Sequence, residues 1–134
     1  MQTATFIDKS SYPVRGPWDE EPDFATSTLK GLECRVMRQT AFGHLCGYVE
    51  VPETHPRYDV DHNFEHCGVT DVTFAGILQE ENVDDKFFVG LDCAHPGQVT
   101  PAFTGTHNAS GRYREFADVV KDVERLLADL LLEA

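Results

Sequence analysis

Residues 32–37 alternate in character, with Leu32, Cys34 and Val36 on one side and Glu33, Arg35 and Met37 on the other. A period of two marks a strand that buries one face. Residues 39–43 supply a turn and residues 45–51 return as a second strand, so a hairpin is predicted here. A third strand is predicted over 69–78, rich in Val, Thr, Phe and Ile. The acidic stretch QEENVDD turns it back into a fourth over 86–91 (KFFVGL), which is apolar enough to sit inside a sheet. The clearest element is the last. Phe116, Val120, Val123, Leu127 and Leu130 recur at spacings of four and three, with Asp118, Asp122 and Asp129 between them. That is the pattern of an amphipathic helix, expected over about 113–132 with Ser110 or Asn108 as its N-cap.

Pro13, Pro17 and Pro22 keep residues 1–30 from forming a long helix, so this stretch reads as an extended arm packing through Tyr12, Trp18 and Phe24. Long polar loops are predicted over 52–66 and 92–111. The whole reads as one α+β domain over 1–134: arm 1–30, sheet and loops 31–111, C-terminal helix 112–134. Its sheet is small and antiparallel, about four strands in two hairpins, packed by the one long helix.

Composition narrows the partners. The net charge of −12 and pI near 4.7 disfavour direct contact with nucleic acid or an anionic membrane. No stretch approaches the ~20 apolar residues of a membrane span, and the first residues lack a signal-peptide pattern. The expected location is the cytoplasm, with thiols reduced. Cys34, Cys46, Cys67 and Cys93 form no CxxC pair, so neither a zinc ribbon nor a thioredoxin-type site is indicated. No GxGxxG or GxxxxGK pattern occurs either.

Chain order gathers the polar chemistry. In a hairpin the end of one strand lies beside the start of the other, which brings His66 and Cys67 beside Asp92, Cys93 and His95. The loop with His55, Asp59, Asp61 and His62, and the loop with His107, are expected to open at that same end, leaving only His44 at the other. His66, Asp92 and His95 can be read as an acid–base set with an orienting carboxylate. They also read as ligands of a water-activating divalent metal, or, with His55, Asp59, His62 and His107, as a pocket for a phosphorylated molecule. The structural reading is that an Asp at a strand end caps a turn, and that a His beside Gly68 bonds a buried carbonyl.

The segments GLECRVMRQTAFGHLCGYVEVPETHPRYD, EHCGVT, FFVGLDCAHPG and YREFADVVKDVERL, with WDEEPD near the start, resemble in that order a family of small proteins of tailed bacteriophages and prophages. The most specific parts are CGYV followed by HP, the HxGxT of residues 66–70, and DCAH at 92–95. The family shows His-Gly-Gly-x-Thr-Tyr and ends the DCAH segment in Gly-Asp. Here Cys67, Asp71 and Gln98 depart from that pattern, whereas His66, Asp92 and His95 match it. The resemblance implies an accessory protein acting in the cytoplasm of a bacterial host, of the kind that counters host defence, and no defined activity.

Three functions follow as expectations. The first is counter-defence by binding a small phosphorylated, nucleotide-type host molecule. The second is hydrolysis of such a molecule by His66, Asp92 and His95, and the third is inhibition of a host defence protein through the acidic surface. Edge strands and the helix stripe also leave room for a homo-oligomer.

Overall fold

Lys30 and Gly31 hold φ values of 53° and 80°, the left-handed pair that a two-residue hairpin turn requires. They reverse the chain between β2 (Phe24–Leu29) and β3 (Leu32–Arg38), which pair along their full length. The computed structural model describes residues 2–58, 72–77, 86–92, 99–102 and 112–133. Ahead of β2 lies a short strand, β1 (Thr3–Thr5), and a single 3-10 turn at Pro17–Glu20. After β3 come β4 (Leu45–Glu50), β5 (Phe74–Ile77), β6 (Phe87–Asp92) and the helix α1 (Phe116–Glu133).

The described strands form one six-stranded sheet in the order β1-β2-β3-β4-β6-β5, antiparallel at every pairing. The α+β class and the long C-terminal helix are as the sequence predicts. The strand count is not: the arm contributes β1 and β2 to the sheet. The prolines that exclude a helix before residue 23 place no limit on the Phe24–Leu29 stretch, whose Thr and Ser suit a half-buried strand.

The order of strands carries the more consequential correction. β6 lies between β4 and β5, with Tyr48 opposite Gly90 on one side and Phe74 opposite Gly90 on the other. β4 and β5 therefore run parallel, and parallel strands require a connection that travels the length of the sheet. That connection leaves β4 at one end, where Val51 N–H donates to Phe87 O, and re-enters where Thr73 N–H donates to Gly90 O.

One face of the sheet is covered by α1. Val119, Val123, Leu126, Leu127 and Leu130 bury against Cys34, Val36, Leu45, Val49, Val89 and Leu91. Each fully buried side chain of this size contributes about 1.5–3 kcal/mol. Gly47 permits the close approach, because a Cβ there would stand 2.5 Å from Val123 Cγ2. Two amides at the start of the helix find side-chain acceptors: Asp118 accepts from Glu115 N–H at 3.1 Å, and Glu21 of the arm accepts from Phe116 N–H at 2.8 Å. The predicted caps, Asn108 and Ser110, lie outside the described residues.

Candidate functional site

The chain ends of interest meet where β4 starts and β6 stops. Cys46 is the register partner of Asp92, and the chain enters β5 beside the last residues of β6. So the segment leading to His66 and the segment leading to His95 depart from neighbouring strand ends, as the hairpin reading requires. Asp59, His62, His66, His95 and His107, with Cys67 and Cys93, lie outside the described residues. Among the described residues no group of three His, Cys, Asp or Glu could hold a metal ion.

The two described histidines exchange places relative to the expectation. His44 closes the β3–β4 turn next to Leu45 and so belongs to the Asp92 end. His55 belongs to the opposite end, because the connection after β4 starts there. Its ring is occupied: Nδ1 accepts from Arg57 N–H at 2.9 Å, which leaves Nε2–H to donate to Leu130 O at 2.6 Å. With 6% of its surface exposed, His55 fastens the loop to a carbonyl of the last turn of α1. It stands in the fold as a strut, away from the Asp92 end.

The Asp92 end is built from several segments. Gln39 receives the amides of Gly43 on its carbonyl and Phe42 on its side chain, at 2.8 and 2.6 Å. Gly43 takes a φ of 84°, and a Cβ there would stand 2.9 Å from Ala102 N, so only glycine lets residues 99–102 close over the turn. Ala102 N–H then donates to Phe42 O at 2.8 Å. On the face away from the helix, Met37, Gln39, Thr40, Cys46 and Tyr48 line a hollow of about 120 Å³.

Beneath this end, on the helix side, lies a buried ionic cluster. Asp23 accepts from Lys9 Nζ at 2.6 Å, from Ile7 N–H at 2.7 Å and from Arg38 Nε. Arg38 Nη1 also donates to Gly43 O at 2.7 Å and to Tyr113 Oη at 3.0 Å, and Nη2 reaches Glu21 at 3.3 Å. Tyr113 donates to Glu21 and packs edge-on against Trp18, ring centroids 4.9 Å apart. Burial, reinforced by Glu21, pushes the Tyr113 hydroxyl far above its ordinary range, so it stays protonated as a donor. Two cations and two carboxylates balance, and the cluster ties the arm, the end of β3 and the start of α1 together. Arg38 occupies the apolar phase of its strand, after Leu32, Cys34 and Val36. That is the one sequence signal that could have found this cluster.

The opposite face of the sheet is also less exposed than the alternation implied. Arg35 is only 5% exposed and Phe88 is fully buried. Arg35 lies with Cζ 4.8 Å from the centroid of the Phe88 ring and donates through Nε to Glu33.

No protein-family model matches the chain, and neither a curated protein nor a solved structure matches it significantly. Among the described residues no helix is long and apolar enough to cross a membrane.

Proposed function

We propose that this chain is an accessory protein of the phage counter-defence kind, which binds a small phosphorylated, nucleotide-type host molecule where β4 begins and β6 ends. The observation that carries the reading is the register: Cys46 faces Asp92, and the chain enters β5 beside the end of β6. The segments bearing His66 and His95 start from these adjacent strand ends, and His44 joins them at the head of β4. Further support comes from the hollow lined by Met37, Gln39, Thr40, Cys46 and Tyr48 next to the same strand ends. Histidine nitrogens and loop amides supply donors for phosphate oxygens, and an aromatic ring suits a base. The phage setting rests on the resemblance of the CGYV, HxGxT and DCAH segments.

The protein purified from bacterial cells is expected to carry a nucleotide-type molecule in native mass spectra. Denaturation should release it intact, and the His66→Ala, His95→Ala double variant should lack it. A ligand recovered as a cleavage product would instead favour hydrolysis. Protein that carries nothing and gives no heat with nucleotides at high concentration would defeat the reading.

A further inference from the structure

We propose that Gln39 reads the base of the bound molecule and selects one with an oxo group at its edge, guanine over adenine. This rests on the reading above and gives the base its place within that site, the hollow lined by Met37, Gln39, Thr40, Cys46 and Tyr48. At about 120 Å³ the hollow is smaller than the roughly 300–1,000 Å³ of pockets that take a whole drug-sized ligand, so it suits one planar group. It is a poor place for phosphate. Arg38 borders it, but each nitrogen of that guanidinium is spent on Asp23, Gly43, Tyr113, Glu21 or Pro22. The other lining residues are uncharged.

The walls suit a ring. Met37 and Cys46 are register partners and bring two soft, uncharged sulfur groups. Tyr48 adds an aromatic side. A Cβ on Gly90 would stand 2.4 Å from Tyr48 Cδ1, so the ring rests on the β6 backbone, with Phe74 edge-on to it at 5.6 Å. The deciding feature is the direction of the Gln39 carboxamide. Phe42 N–H donates to Gln39 Oε1 at 2.6 Å. Only the oxygen of a carboxamide accepts from an amide, so this bond fixes which end is which. Oε1 is held to the turn, and Nε2, with no acceptor among the described residues, is the free end of a side chain that lines the hollow. A carboxamide using both ends pairs with adenine at N6 and N7. With Oε1 held to the turn, Gln39 offers donors alone, and the neighbouring Thr40 hydroxyl can add another. Guanine presents two acceptors on that edge, O6 and N7. The adenine amino group would meet a donor instead.

The test compares GDP and ADP by calorimetry on the full chain, with IDP as a control that keeps O6 and N7 and lacks the exocyclic amine. Wild type should bind GDP and IDP tighter than ADP by roughly fivefold or more. Gln39→Glu keeps an oxygen for Phe42 N–H and replaces Nε2 by a second acceptor, so the preference should move to ADP. The ratio of the two affinities does not depend on how much of the variant folds. In wild type, the side-chain amide signals of Gln39 should shift on adding GDP. ADP bound by wild type within twofold of GDP or tighter, a ratio unchanged in Gln39→Glu, or Gln39 signals that stay still while GDP binds overturns the assignment and leaves the binding reading standing. If wild type binds none of the three nucleotides at millimolar concentration, the binding reading falls and this assignment with it.

Discussion

Asp23→Asn is the sharpest single perturbation of the buried cluster, because it keeps the side chain's shape and removes its charge. The Asp23 side chain is 3% exposed, and its cationic neighbours Lys9 and Arg38 are 2% and 1% exposed. After the change, Lys9 loses its carboxylate partner and keeps the carbonyl of Glu21 at 3.3 Å, and Arg38 keeps the Glu21 carboxylate. Removing one partner of a buried pair typically costs about 3–5 kcal/mol, since the remaining charge stays desolvated. Against a total stability of about 5–15 kcal/mol for a domain, that is a large share. Urea unfolding followed by circular dichroism should show the midpoint falling by roughly 2 M at the slope usual for small domains. Lys9→Met should be milder, and the double variant should show a coupling above about 1 kcal/mol, because the two residues share one network. A loss under about 1 kcal/mol for Asp23→Asn, with no coupling to Lys9, would refute the claim that this cluster locks the arm to the sheet.

Two other outcomes are expected. His55→Ala should destabilise by about 1–3 kcal/mol, because it orphans the Leu130 carbonyl and the Arg57 amide; the ring nitrogen shifts of wild type should report the Nε2–H tautomer. Gly47→Ala should cost about 1–3 kcal/mol in urea unfolding by pressing on Val123, and Val123→Ala in the same chain should recover part of that loss.

The sequence revealed those features whose cause is local. The spacing of Val123, Leu127 and Leu130 follows directly from a helix burying one stripe, and α1 buries that stripe. The alternation from Leu32 to Met37 and the turn before Leu45 likewise gave β3 and β4. β2 is hard to read because Thr26, Ser27 and Thr28 are not strongly apolar and the prolines before them favour an extended arm. The insertion of β6 between β4 and β5 was hidden for a different reason. Which strands pair is decided by long-range packing and not by neighbouring residues, and consecutive strands are adjacent only about two-thirds of the time. That one insertion sent His55 to the far end and brought His44 to the near one. The juxtaposition of the β5 entry with the β6 exit survived, because a hairpin brings those ends together whichever strand stands beside it.

The most direct measurement of the central claim is a map of backbone amide shifts on titration with ADP. Binding at the end where β4 begins should move the amides of Gln39, His44, Cys46 and Leu91, while those of Glu53–Tyr58 and Leu130–Leu132 stay in place. Shifts confined to the His55 end, or spread without regard to position, would contradict it.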